Sequence, residues 1–160
     1  MFTAKSPEDL PTRQMLLSMS GLEFMQAMME GKIARPPISD VLNYTPHHVE
    51  AGSVTFRGTP SFHHTNPMGT VHGGWYGTLL DSCMACAVMT MVPKGSVYTT
   101  MEYKINIIRP IPLDTEIEAV GSVQHAGRST GIAVGEIRGV GGGRIYATGS
   151  TTCIIMKMDA

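Results

Sequence analysis

The sequence has little charge and no concentration of one sign. Its 12 Lys and Arg and 13 Asp and Glu make up 16% of 160 residues, whereas soluble domains average about 25%. The formal net charge is -1 and no cluster of basic residues occurs, so nothing in the sequence favours nucleic acid or an anionic membrane as a partner. Because an isolated small domain needs a charged exterior, the shortage favours a homo-oligomer whose subunits cover part of each other's surface.

Cysteine is also scarce, and no recognisable signal peptide opens the sequence. Three Cys residues do not form the disulfide framework of a small secreted domain. We therefore expect a cytoplasmic protein. Disorder is excluded, because apolar residues and Gly together make up slightly over half of the chain.

The longest apolar stretch runs over residues 71–92 and carries one formal charge, Asp81. A carboxylate near mid-bilayer costs about 2.5–3.5 kcal/mol, so the stretch does not suit a membrane span. Apolar residues fall on every helical face, which is typical of a helix enclosed by other structure. The sequence predicts a long buried helix that ends at Pro93 and Gly95.

The remaining segments predict an α+β domain of about six strands. Two short helices are expected before residue 35, the first capped at Ser6 and the second running from a Ser20–Glu23 capping box to Gly31. A hairpin follows, with its turn at residues 50–52 and its second arm at 53–58. After the long helix, residues 99–108, 116–125, 131–139 and 144–158 read as a four-strand antiparallel meander. The resulting fold is an antiparallel sheet curled around a central helix.

Asp81 is the strongest candidate for a catalytic residue. A carboxylate inside an apolar helix must be paired, hydrogen-bonded, protonated or kept for a reaction. The alternative to a catalytic role is a structural one, in which the Asp81 carboxylate is hydrogen-bonded within the fold.

His72, Gly73 and Gly74 begin the same helix. Free backbone N–H groups and the positive end of the helix dipole meet there, and the glycines let a ligand oxygen approach closely. An oxyanion hole can be built this way, although a glycine-permissive turn with His72 near the N-cap explains the motif equally well.

Spacing limits how Gly73 and Asp81 can act together. They are eight residues apart, or about 12 Å along a helix, which is too far for both to contact one reacting carbonyl. If both act, two chains share the site, and antiparallel helices in a two-fold dimer would provide two equivalent sites.

Other motifs are weaker. The C-x-x-C sequence at Cys83–Cys86 lies mid-helix in apolar company, which does not favour redox or zinc chemistry. The adjacent His pairs do not chelate easily, so we predict no metal. The glycines at 141–143 read as a hairpin turn. Arg128 lies in a predicted loop beside Gly127 and is the arginine best placed for a phosphorylated ligand.

Several segments together resemble the hotdog-fold thioesterases of the phenylacetate-pathway, PaaI-like type. The resemblance covers about residues 42–158. The segments that carry it are N-P-M-G-T-V-H-G-G at 66–74, L-L-D at 79–81, Y-T-T-M-E at 98–102 and I-I-R-P at 107–110. It implies a hotdog fold that pairs into dimers and often tetramers and acts on acyl-CoA without a metal or other cofactor. We divide the chain into a helical extension, 1–40, and a hotdog domain, 41–160.

The resemblance also implies roles for individual residues. Asp81 corresponds to the catalytic carboxylate, as nucleophile or general base, and the Gly73 amide to the donor that polarises the thioester carbonyl. Asn66 and His72 correspond to the polar pair near the thioester. Thr100 corresponds to the residue that orients Asp81 or water, with adjacent Thr99 as the alternative.

We expect Met68, Gly74, Trp75, Thr99 and Arg128 to contact substrate. Trp75, Tyr76 and the methionines are candidates to line an apolar acyl tunnel, with plain core packing as the alternative. The N-terminal helices are expected to cover the acyl pocket or another interface.

The function predicted is hydrolysis of an aromatic or medium-chain acyl-CoA to free acid and coenzyme A. The alternatives are a non-catalytic acyl-CoA-binding hotdog oligomer and a hotdog hydratase. The acyl group, the pathway, and dimer against tetramer stay open.

Overall fold

The chain folds into a six-stranded antiparallel sheet that packs against one long helix. The structure is a computed structural model that describes residues 1–158; Asp159 and Ala160, the last two residues of the predicted hotdog domain, lie outside the described part. The strands are β1 (Tyr44–Glu50), β2 (Ser53–Gly58), β3 (Ser96–Ile107), β4 (Ile117–Ala126), β5 (Thr130–Gly139) and β6 (Ile145–Lys157). The helices are α1 (Arg13–Ser18), α2 (Gly21–Met29), α3 (Ile38–Val41) and α4 (Gly73–Met89). This is the α+β fold class predicted from the sequence.

The strand order is β1-β2-β4-β5-β6-β3, and it corrects the predicted four-strand meander. Only β4, β5 and β6 form a meander, because β3 pairs along its length with β6 instead of β4. The chain therefore passes from β3, at one border of the sheet, to β4 in its interior. β3 pairs with no second strand within residues 1–158.

Helix α4 forms the centre of the core. Leu79, Leu80, Cys83, Met84 and Val88 are completely buried against the sheet. Close approach depends on glycines in the strands: a Cβ at Gly121 would overlap the Cys83 carbonyl group, so only glycine allows this contact. Within the described chain no helix is long and apolar enough to cross a membrane.

The N-terminal segment differs from the two helices predicted. Residues Pro7–Asp9 form a single 3₁₀ turn with the expected Ser6 capping box, and a separate helix, α1, begins after Thr12. Pro11 interrupts the segment, since its missing N–H and fixed φ oppose helix continuation. Helix α2 has the predicted capping box between Ser20 and Glu23.

Helix α2 packs beside β1 and α4 and buries Phe24, Met25 and Met28. Helix α2 therefore covers the side of the core where α4 and the first strand meet.

Candidate active site

Asp81 lies midway along α4, half-buried, with its carboxylate turned toward β3. Its Oδ1 accepts a hydrogen bond of 2.9 Å from the Thr100 hydroxyl. Burial raises the pKa of Asp81, and the Thr100 hydrogen bond opposes that rise. Because the carboxylate is ionised only above this raised pKa, a reaction that needs the anion slows as pH falls through it.

A β-bulge in β3 aims Thr100 at this carboxylate. Thr100 pairs with Cys153 and Glu102 pairs with Thr152, which leaves Met101 as an extra residue in β3. Before the bulge, Thr100 faces α4. After it, odd-numbered residues do so, as shown by Tyr103 beside Gly77. Bulges commonly re-aim side chains next to active sites.

The structure separates the two threonines that the sequence left as alternatives. Thr100 is partly buried and bonded to Asp81. Thr99 is exposed, since neighbouring residues in a strand point to opposite faces. Thr100 is thus the threonine in contact with the carboxylate.

The N-terminus of α4 presents a free amide. His72 is the N-cap, and its Nδ1 accepts a hydrogen bond of 2.9 Å from the Gly74 N–H. A neutral His72 in this arrangement carries its proton on Nε2. Gly73 is the first helical residue, and its N–H has no backbone acceptor among residues 1–158.

The N–H of Gly74, a residue expected to contact substrate, already has a partner within the chain. It is occupied by the His72 ring, so the Gly73 N–H is the amide left available to an oxygen of a ligand. A side chain at Gly74 would also crowd the ring, because its Cβ would lie 3.0 Å from His72 Nδ1.

Asn66 shapes the loop before α4. Its Oδ1 accepts hydrogen bonds from the Met68 N–H (2.9 Å) and the Thr70 N–H (3.3 Å), and its Nδ2 donates to the Thr70 hydroxyl (2.9 Å). This leaves one amide N–H of Asn66 for a ligand. Met68 projects from the same loop and is 86% exposed.

The predicted site residues thus fall into two groups. Asp81 and Thr100 lie together beside the middle of α4, and the loop from Asn66 to Gly74 lies at its N-terminus. Because Gly73 and Asp81 belong to one unbroken helix, about 12 Å separates the groups. One chain does not bring both groups to a single carbonyl.

The predicted substrate contacts are spread over the fold. Arg128 is exposed in the turn before β5, and Thr130 pairs with Ile154, which in turn pairs with Thr99. Arg128 and Thr99 therefore lie at the end of the sheet that holds Thr100. Trp75 is 2% exposed and its Nε1–H donates to the Leu42 carbonyl, so its ring is part of the core.

The cysteines do not supply a reactive thiol. Burial raises the pKa of Cys83, and it raises the pKa of Cys86 to about 12, so both thiols stay protonated near neutral pH. Within residues 1–158 no three His, Cys, Asp or Glu side chains are grouped to hold a metal ion.

An apolar cavity lies beside the part of α4 that follows Asp81, and it was not located from the sequence. Its volume is about 260 Å³, and Ser82, Cys86 and Tyr98 line the side nearest the carboxylate. The opposite side comes from α2 and from the segment after it. The methionine clusters near residue 25 were the sequence signal for this surface.

Comparison with known proteins finds a matching domain and relatives of this chain. The thioesterase superfamily domain matches residues 68–146. This range includes Asp81, Thr100 and the segment from Met68 to Gly74, but not Asn66. Mouse acyl-coenzyme A thioesterase 13 is 28% identical over 89 residues, 56% of this chain and 63% of that protein. The match thus spans less than two thirds of the relative.

Solved structures share the fold. A phenylacetic acid degradation-related protein from Ralstonia eutropha is 25% identical, with a TM-score of 0.74 over 82% of this chain and 98% of its own. The PaaI protein of E. coli superposes with a TM-score of 0.73 over 88% of this chain and 96% of its own, at 21% identity. The chain therefore has the hotdog fold, and its residues 68–146 match the thioesterase superfamily domain.

Proposed function

We propose that this protein is an acyl-CoA thioesterase that hydrolyses aromatic or medium-chain acyl-CoA in sites shared between two subunits. The observation that carries the proposal is the Asp81 carboxylate, half-buried and oriented by Thr100. A protein that only binds acyl-CoA has no need of a carboxylate kept there against the cost of burial.

The chemistry requires few groups. Asp81 either attacks the thioester carbonyl carbon or removes a proton from the water that attacks it. The carbonyl oxygen gains negative charge, which the Gly73 N–H and the positive end of α4 stabilise. The C–S bond then breaks and coenzyme A leaves as a thiolate. Water supplies the second carboxylate oxygen of the acid product, after hydrolysis of the acyl-enzyme anhydride if Asp81 is the nucleophile.

Two subunits would complete each site. Within one chain, Gly73 and Asp81 are about 12 Å apart along α4. Antiparallel helices in a dimer would bring Gly73 of one protomer close to Asp81 of its partner, so that both could act on one carbonyl. The border strand β3 supports such pairing, because it exposes Met101, Tyr103 and Ile107 and has no second neighbour within the described residues. The low charge of the chain agrees with a covered surface.

Roles for the remaining residues follow from their positions. Asn66 and His72 would bind near the thioester from the N-terminal end of α4. Met68 in the preceding loop and Gly74 in the first turn of α4 would form the surface there. Arg128 and Thr99 would contact the coenzyme A part at the end of the sheet. Trp75 supports this end of α4 from within the core.

A substrate panel tests the activity. With aromatic, short, medium and long acyl-CoA, we expect Asp81-dependent release of free thiol that is greatest for aromatic or medium-chain groups. Binding of acyl-CoA without thiol release on any substrate would favour the non-catalytic alternative. Consumption of an enoyl-CoA double bond without thiol release would favour the hydratase.

Thr100→Val tests the positioning of Asp81. Valine has the shape of threonine but cannot donate to the carboxylate, so the remaining effect of burial raises the pKa of Asp81 further. The acid limb of the kcat/KM profile should move to higher pH, and kcat on its plateau should fall roughly tenfold. The measurement is kcat/KM against pH for both proteins.

Thr99→Val is the matched control for that profile. It makes the same change one residue away, on the exposed side of β3, and should leave the acid limb where it is in the wild type. An unchanged limb in Thr100→Val would mean that Thr100 does not set the ionisation of the catalytic group.

A further inference from the structure

The cavity beside Asp81 is the strongest unassigned feature of the fold. Ser82 directly follows Asp81 on α4, and Cys86 lies one turn further along. Tyr98 precedes Thr100 by two residues and shares its face of β3. The elements that hold the carboxylate, α4 and β3, therefore also form one side of the cavity, although Asp81 and Thr100 themselves do not line it.

The far side of the cavity comes from the N-terminal extension. Phe24, Met25 and Met28 of α2 face the cavity, as does Ala34 in the segment after α2. These four side chains are at most 9% exposed. The capping box that begins α2 fixes the helix in this position. The extension is thus a wall of the cavity.

The size and lining of the cavity indicate which chemical groups fit inside it. A cavity of about 150 Å³ with apolar walls accommodates benzene, and this one has about 260 Å³. Its polar lining side chains are Arg35, Ser39, Tyr44, Ser82 and Tyr98. Most have partners within the protein: Arg35 donates to Asp40 and Thr3, Ser39 donates to the Pro36 carbonyl, and the Ser82 and Tyr44 hydroxyls are hydrogen-bonded at 3.0 Å. An uncharged phenylalkyl or medium-length alkyl chain suits this space.

A second cavity of about 100 Å³ lies behind the first. Phe24, Met89 and Tyr98 line both, so these three side chains form the partition between them. Tyr98 lies beside Thr100 on β3 and Met89 ends α4, whereas Phe24 belongs to the extension alone. Phe24 is therefore the part of the partition that can be changed with least effect on the catalytic elements.

We infer that the larger cavity receives the acyl group and that Phe24 is the stop that limits its length. The inference rests on the proposed thioesterase function, because it assigns the acyl site of that reaction. It makes the N-terminal extension a determinant of substrate specificity.

Binding of non-hydrolysable S-alkyl-CoA thioethers of increasing chain length tests this inference without catalysis. In the wild type, affinity measured by calorimetry should rise about fourfold per methylene until the cavity is full and then stay constant. In Phe24→Ala the two cavities join, so affinity should keep rising for several methylenes beyond the wild-type limit.

Two further variants keep the test decisive. Met29→Ala, on α2 but outside both cavities, should show the wild-type limit. Ala34→Leu adds three carbons to the cavity wall, so affinity should stop rising at a shorter chain length than in the wild type. This variant tests whether the extension limits chain length even if Phe24→Ala does not fold.

The outcomes separate this inference from the proposed function. A wild type that hydrolyses thioesters but binds thioethers of every length equally overturns the acyl site alone. Equal changes at all lengths in Phe24→Ala, or an unmoved limit in Ala34→Leu, overturn the role of Phe24 and the extension. A length limit that moves as expected, without thioester hydrolysis, supports the cavity assignment and refutes the proposed activity.

Discussion

Asp81→Asn is expected to lower kcat by about 10²–10⁴-fold without disturbing the fold. Asparagine has the shape of aspartate, and its Oδ1 can still accept the hydrogen bond from Thr100. It cannot act as a base or form the acyl-enzyme anhydride. Release of free thiol from the best acyl-CoA of the panel, followed for both proteins at the same pH, measures the loss.

Thermal unfolding provides the control for this variant. Because burial raises the pKa of Asp81, folding disfavours its charged form, and that cost is present above the raised pKa and disappears below it. Asp81→Asn should therefore unfold at the same or a higher temperature at neutral pH, with the difference shrinking as pH falls. Turnover close to that of the wild type would remove Asp81 from the mechanism.

The central helix and its carboxylate could be predicted because their signals are local. A 22-residue stretch with one charge, followed by Pro93 and Gly95, indicates a buried helix, and a carboxylate there requires an explanation. The helix ends at Met89, somewhat before the predicted stop. The hairpin turn at residues 50–52 was predicted correctly for the same reason, because Gly52 has a φ of 80° that glycine adopts readily. Such features depend on a few neighbouring residues.

The position of β3 could not be predicted, because strand order is a long-range property. Consecutive strands pair in most sheets, which led to a four-strand meander, but β3 lies at the border beside β6. The sequence also did not show which residues of β3 face α4. Strict alternation back from Tyr103, which faces α4, would place Thr99 against the helix, and the extra residue Met101 places Thr100 there instead.

The side-chain acceptor of the Gly74 amide was also hidden from the sequence. A His before two glycines does not reveal that its Nδ1 caps the Gly74 N–H and leaves the Gly73 N–H free. The three-dimensional arrangement thus leaves only one of the two glycine amides, that of Gly73, available to a ligand.

Gly73→Pro removes that donor with little other change. Proline is favoured at the first position of a helix, where its missing N–H has no intrahelical partner. The preceding His72 has φ -63° and ψ 139°, which is the conformation that residues before proline prefer. We expect kcat to fall about 10²–10³-fold.

Gly73→Ala is the matched control for this loss. Alanine keeps the N–H, and its Cβ would lie 3.5 Å from Ile107 Cδ1, an ordinary contact. It should retain most of the wild-type activity. Activity close to that of the wild type in both the proline and the alanine variant would exclude the Gly73 amide as the oxyanion donor.

Mixing Gly73→Pro with Asp81→Asn tests whether two subunits share each site. In a mixed dimer, one site contains both defective groups and the other pairs the intact Asp81 of one protomer with the intact Gly73 of its partner. Random assembly makes half of the dimers mixed, so co-refolded protein should recover about one quarter of wild-type activity, whereas each variant refolded alone stays inactive. Activity in the mixture no higher than that of the separate variants would refute the pairing of Gly73 with the partner's Asp81. Because α4 is too long for both groups of one chain to contact one carbonyl, the oxyanion donor would then have to be a different group, close to Asp81 and Thr100.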